Sequence, residues 1–232
     1  MAEILSVDDE RVIREGLKAS LQGEGFAVRT ARDGAEALEK IRERKPDLVL
    51  LDVMMPKKNG FCCCEEIRRR DPLLPVVFLT ARDSEADHIR GLGLGGDAYV
   101  SKASSDALLL ACINRVLLRA QKVHERQDES VVVRLGEIFV NVQTLAVTDE
   151  GREIARLTRT EADILRILRN HPDETLVVDD LITELRGNGC SCEDGIVYTH
   201  ICNLRRKLGR AGNLIVSNRG AGYRLASVAA NL

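Results

Sequence analysis

Five residues in the first half of the chain are of types that do chemistry together. Asp8 and Asp9 follow the apolar run E-I-L-S-V, Asp52 ends D-L-V-L-L-D, Thr80 ends P-V-V-F-L-T, and Lys102 follows D-A-Y-V-S. Three carboxylates in one place repel each other unless a cation sits among them, and hard oxygen donors with room for water suit Mg²⁺. With its charge screened, one carboxylate can attack a phosphoryl group to give an acyl phosphate, while a hydroxyl and an ammonium bind the phosphoryl oxygens. Asp52, Thr80 and Lys102 fit those roles. Taken singly, Asp8 or Asp9 would cap a helix, Asp52 would open a turn and Thr80 would merely end a strand. The argument rests on all five standing at the carboxyl ends of four predicted strands.

The elements that must position them alternate along the chain. EILSV is followed by RVIREGLKASL, FAVRT by GAEALEKIRER, DLVLLD by GFCCCEEIRRR, PVVFLT by EADHIRGLG, and DAYVS by DALLLACINRVLLRA. Five such units predict an α/β domain with a parallel five-stranded sheet covered on both faces by right-handed crossovers. Ligands of such sheets bind beyond the carboxyl ends of the strands, where the five residues fall. The polar stretch AQKVHERQDES, 120–130, is the expected linker. Beyond it VVVRLGEIFVNVQTLAVTDEGREIARL reads as short strands with a D-E-G turn, and Thr158 with Glu161 reads as a capping box opening TRTEADILRILRN. Two more helical stretches, LVVDDLITELR and EDGIVYTHICNLRRKL, and two strands around N-R-G-A-G-Y complete a winged helix-turn-helix pattern.

Charge separates this second half from the first. The net charge is only −2, yet no Asp or Glu follows Asp194, while Arg205, Arg206, Lys207, Arg210, Arg219 and Arg224 are basic. Val197, Ile201, Leu204 and Leu208 share one helical face, which predicts a core face. The opposite face carries Gly195, Thr199, Cys202, Asn203 and Arg206, with Tyr198 and Arg205 at its margins, and suits the major groove of double-stranded DNA. Arg219, near the hairpin tip, is placed for the minor groove. The opening MAEILSVDDE has no basic leader, and no apolar run approaches the ~18 to 20 residues of a membrane span, so a cytoplasmic protein with seven reduced cysteines and no membrane partner is expected.

V-D-D-E, L-L-D-V-M-M-P-K-K-N-G, L-T-A and D-A-Y-V-S-K resemble the receiver domain of two-component response regulators. The resemblance implies a flavodoxin-like doubly wound fold, Asp52 as phospho-acceptor and a sensor histidine kinase as donor. It also implies Mg²⁺ held by Asp9, Asp52 and the Met54 carbonyl, with Asp8 acting mainly through water. Thr80 would move toward the phosphoryl group as Tyr99 reorients. L-T-R-T-E-A-D-I-L, V-Y-T-H-I-C-N-L-R-R-K-L and N-R-G-A-G-Y-R-L are similar to the OmpR/PhoB winged-helix effector. The expected organisation is therefore a receiver over 1–119, a linker over 120–130 and a DNA-binding domain over 131–232. RNA polymerase and a second copy, paired through the receiver, are the expected further partners, and the chain is expected not to be an enzyme beyond modifying itself.

Several residues depart from the pattern. Ala103 follows Lys102 where the family has a proline in a cis peptide; a cis bond before alanine costs ~3 to 4 kcal/mol, so a trans bond is expected and the placement of Lys102 is open. His88, Gly93, Ala98, Leu108 and Cys112 stand where the family carries charges that pair across a dimer, so a weaker, altered or less phosphorylation-dependent receiver dimer is expected. These departures keep alive a phosphorylation-independent winged-helix factor with an atypical receiver. An aspartyl phosphatase is disfavoured because Met54 stands where its second acid belongs. The G-x-G-x-x-G at 91–96 follows a helix and precedes a strand, the reverse of a dinucleotide site. Cys190, Cys192, His200 and Cys202 lack zinc spacing, and Cys62, Cys63 and Cys64 read as mixed core and surface positions.

Overall fold

The apolar runs of the first half form strands in which alternate side chains go to opposite faces. In the computed structural model, which describes residues 1–55, 59–81, 91, 93–125, 132–187, 194–218 and 221–226, with backbone alone at 122–125, 187 and 194–196, these are β1 (Glu3–Val7), β2 (Ala27–Ala31), β3 (Leu48–Leu51), β4 (Val76–Thr80) and β5 (Ala98–Ser101). All pair in parallel in the order β2-β1-β3-β4-β5, the doubly wound arrangement. Leu5, Val7, Val49, Leu51 and Phe78 pack on one side with residues of α2 (Gly34–Glu43) and α3 (Gly60–Arg70). Ile4, Leu48, Leu50, Val77 and Leu79 pack on the other with Leu21 of α1 (Arg11–Gly23) and Leu109, Ile113, Val116 and Leu117 of α4 (Asp106–Glu125). Burial on both faces is why these strands read as unbroken apolar runs. The helix expected over EADHIRGLG falls mostly on residues 82–90, outside the described residues, and His88 with it.

The chain divides into two compact units, Met1–Gln121 and Lys122–Leu232. α4 runs on to Glu125, through the first residues of the stretch read as linker, because A-Q-K-V-H-E is made largely of good helix formers even without an apolar period. Residues 126–130 of that stretch lie outside the described residues.

The second unit opens with an antiparallel sheet of β6 (Val132–Leu135), β7 (Ile138–Asn141), β8 (Ala146–Asp149) and β9 (Arg152–Arg156), in chain order. Thr158 caps α5 (Arg159–Asn170): its hydroxyl accepts from the Glu161 N–H and the Glu161 carboxylate accepts from the Thr158 N–H at 2.6 Å, the box read from the sequence. α6 (Val178–Gly187) and α7 (Asp194–Lys207) pack on it, and a 3₁₀ turn (Gly209–Leu214) leads into the hairpin of β10 (Ile215–Asn218) and β11 (Gly222–Leu225). The hairpin is stitched to the loop after α5 by Leu176, whose N–H and C=O both bond Tyr223.

Candidate functional site: an acidic pocket and a basic helix

Parallel register brings the ends of β1, β3, β4 and β5 to one edge of the sheet. The Asp52 N–H donates to the Val7 carbonyl, the Asp8 N–H to Ala31 and the Lys102 N–H to Thr80, so each functional residue is the first turn of backbone beyond a strand, or the strand's last residue. Ligand oxygens of Asp8, Asp9 and Asp52 lie within 4.8 Å of one another. Asp8, Asp52 and Thr80 are buried and Asp9 is exposed. A trio with two buried members and one open to solvent suits a hard cation that keeps part of its water shell.

Lys102 carries the countercharge within this pocket. Its Nζ lies 2.7 Å from Asp8 Oδ2 and 2.9 Å from Asp52 Oδ2. Burial pushes the Asp8 carboxyl above the usual carboxylate range, against the hydrogen bond and charge of Lys102 that pull it down. Burial works against the Lys102 ammonium too, but its bonds to Asp8 and Asp52 hold the amine above its ordinary value. Among the described residues no peptide is cis, so the Lys102–Ala103 bond is trans as expected, and the ammonium reaches Asp52 all the same. Met54 donates its backbone N–H to Asp52 Oδ1 at 3.1 Å and leaves its side chain half exposed. Tyr99 is half-buried, its ring centroid 5.9 Å from that of Phe78.

Two supports were not read from the sequence. Gly60 opens α3, whose N-terminus is capped by the Asn59 side chain, against the end of β3; a Cβ there would fall 2.1 Å from the Asp52 carbonyl oxygen. The N-G pair was the available signal. Arg68 on α3 binds Asp97 at 2.8 Å, the Gly95 carbonyl at 2.7 Å and the Leu74 carbonyl, while Asp97 accepts the Val76 N–H. Gly95 is left-handed at φ 101°, and a Cβ on Gly96 would fall 2.7 Å from the Phe78 ring. The glycine-rich run therefore serves a turn and close packing on Phe78, which explains a nucleotide-like pattern in the wrong context.

In the second unit Val197, Ile201, Leu204 and Leu208 are fully buried, and so is His200. Tyr198 is 64% exposed, Cys202 and Arg206 are exposed, and Thr199, Asn203 and Arg205 are half-buried, so the face expected to read DNA is the outward one. Arg205 turns to the hairpin: Nε and Nη2 donate to the Ile215 carbonyl at 3.0 and 2.7 Å, Nη2 also reaches Ser217 Oγ, and the guanidinium lies over the Tyr223 ring. Arg219, Cys190 and Cys192 lie outside the described residues.

A doubly wound parallel sheet with an acidic pocket at its strand ends, followed by a separate winged-helix unit with a basic helix face, defines a receiver joined to a DNA-binding effector. Residues 4–114 match the response regulator receiver domain and residues 151–225 the C-terminal domain of transcriptional regulatory proteins. The chain belongs to the OmpR/PhoB-type family of two-component transcriptional response regulators. It is 36% identical to the response regulator MprA of Mycobacterium ulcerans over 95% of both chains, and 38% identical to that of Mycobacterium avium over 95% of this chain and 96% of that one. A mutant of RitR shares the fold over 97% of this chain and 99% of its own, with a TM-score of 0.76 at 23% identity. A receiver domain protein from Clostridium thermocellum matches 53% of this chain and 99% of its own, with a TM-score of 0.51 at 30% identity.

Proposed function

We propose that the chain is switched by phosphorylation of Asp52. The carrying observation is the meeting of two buried carboxylates, an exposed third and the Lys102 ammonium at the carboxyl edge of the sheet. One Asp52 oxygen attacks the phosphorus of a phosphohistidine on a sensor kinase, the P–O bond forms as the P–N bond breaks, and the histidine nitrogen leaves and takes up a proton. Lys102 shifts from pairing with the carboxylates to binding a phosphoryl oxygen. Thr80, at the end of β4, supplies a hydroxyl to another oxygen, and the half-buried Tyr99 follows it. Asp9, Asp52 and the Met54 carbonyl, with Asp8 through water, are the groups that would hold Mg²⁺, and the ion would supply charge neutralisation at the transferring phosphoryl group.

The output is regulated binding of the second unit to double-stranded DNA, with Tyr198, Thr199, Cys202, Asn203, Arg206 and Arg219 at the groove and RNA polymerase as the downstream partner. Pairing of two copies through the receiver accompanies it, over a surface where α4 exposes Leu108 and Leu118 and half-exposes Cys112 rather than presenting the family's charges. Among the described residues no helix is long and apolar enough to cross a membrane, in keeping with a site of action at cytoplasmic DNA. The competing reading, a phosphorylation-independent factor, draws on Ala103, but the reach of Lys102 to Asp52 across a trans peptide counts against it.

The test is to incubate wild type and Asp52→Ala with a small-molecule phosphodonor and Mg²⁺ and weigh both intact. One phosphoryl adduct on the wild type and none on the variant is the expected result. A folded wild type that takes up no phosphoryl group would transfer the case to the phosphorylation-independent reading.

A further inference from the structure

Three consecutive cations close the recognition helix, and the structure sorts them. Arg205 is spent on the hairpin, on the Ile215 carbonyl and Ser217. Lys207 turns inward, its Nζ 2.7 Å from the buried carboxylate of Glu161. Arg206 is exposed on the face opposite Val197, Ile201, Leu204 and Leu208, and among the described residues its guanidinium touches only the Asn203 amide oxygen, with Nη2 donating to Oδ1 at 2.9 Å. A guanidinium has donors and no acceptor, so the contact also fixes which way the Asn203 amide is turned: its oxygen faces Arg206. Residues three apart on a helix are surface neighbours, so the bond costs neither side chain an unusual conformation.

Resting on the reading of the second unit as a DNA binder, we propose that Asn203 is a positioning residue that holds Arg206 as the guanine reader of the operator. A guanidinium reads guanine through two parallel donor contacts to N7 and O6 in the major groove. With one Nη2 hydrogen on Asn203, the second Nη2 hydrogen and the neighbouring nitrogen of the free edge remain as the parallel donor pair for the base. A long side chain already anchored at its tip gives up less freedom on binding than a free one. Specificity at one base pair of each half-site then depends on two residues, only one of which touches it. Asn203 itself carries no separate base preference.

The experiment selects sequences from a random duplex pool with the full-length chain, then measures affinity for the selected duplex with single guanines replaced by 7-deazaguanine, which lacks the N7 acceptor. Wild type is expected to lose roughly tenfold at one guanine per half-site. Arg206→Gln abolishes that difference. Asn203→Leu, similar in size but without an acceptor, weakens binding roughly two- to tenfold and shrinks the same difference at the same guanine, while Asn203→Asp retains it. In the Arg206→Gln background Asn203→Leu adds nothing. Losses that add, with Asn203→Leu changing preference at a second base pair, would show Asn203 reading a base itself and overturn the proposal. So would an Asn203→Leu chain with wild-type affinity and discrimination. A wild type that enriches no sequence overturns the DNA-binding reading, and the inference falls with it.

Discussion

Lys207→Met tests the coupling of the recognition helix to the capping box of α5. Glu161 is fully buried, and one oxygen, Oε2, takes both the Thr158 N–H at 2.6 Å and the Lys207 ammonium at 2.7 Å. Methionine keeps most of the apolar stem and removes the charge, which leaves a buried carboxylate with a single backbone donor. Breaking a buried pair by removing one partner costs ~3 to 5 kcal/mol. The Lys207 side chain is about a quarter exposed, so water replaces part of what is lost, and the expected cost is ~2 to 3 kcal/mol. For a unit of about 100 residues that lowers the melting temperature by roughly 8 to 20 °C. The assay is calorimetry on the intact chain, following the transition that operator DNA moves upward, since only the unit that binds DNA gains from it. Glu161→Gln in the Lys207→Met background replaces the stranded charge with a neutral amide and is expected to recover at least half of the loss. A Lys207→Met melting point within about 2 °C of wild type would refute the reasoning, and so would a double variant as unstable as the single one.

Gly60→Ala places a Cβ against the Asp52 carbonyl, so the start of α3 or the end of β3 must shift, at a cost of ~1 to 3 kcal/mol; chemical denaturation measures the cost, and phosphoryl uptake at Asp52 should fall with it. His171 lies between Glu174 at 3.1 Å and Glu184 at 3.2 Å, and the hydrogen bond to Glu174, aided by the charge of Glu184, raises its pKa above the ordinary 6.5 against slight desolvation. A histidine raised in the folded state stabilises fully below the unfolded pKa and loses that contribution as pH climbs through the higher folded one, so urea unfolding should show wild type losing stability relative to His171→Gln above about pH 6.5. Self-association of the receiver should resist high salt and weaken on Leu108→Glu; sedimentation showing dimers that form only after phosphorylation and dissolve in salt would count against the apolar contact.

What was legible in the sequence were features with a period or a strand end. The alternation of apolar runs with helical segments gave the sheet its class, because both faces of β1, β3 and β4 are buried and no other arrangement explains unbroken Leu, Val and Ile. The acidic pocket followed, since strand ends in a parallel sheet share an edge. Asp97 shows the limit: its position before β5 was visible, but the Arg68 contact joins α3 to that turn across 29 residues and follows no repeat. The reach of Lys102 was equally invisible, because it depends on how the backbone turns after β5 and not on the identity of Ala103 alone.

The DNA-binding half makes the same point with charge. Six basic residues after Asp194 announce a cationic surface, but composition assigns them no tasks. Arg205, Arg206 and Lys207 are chemically alike and adjacent, and helical geometry sends them 100° apart: one to the hairpin, one to the exposed face, one to a buried carboxylate. Each destination is set by something outside the segment, namely the Ile215 carbonyl, the Asn203 amide and the α5 capping box. A reading from charge alone would expect all three to contribute to the salt dependence of DNA binding. On the proposed reading, neutralising Arg206 removes base discrimination, whereas neutralising Lys207 acts mainly through the stability of the unit that presents the helix.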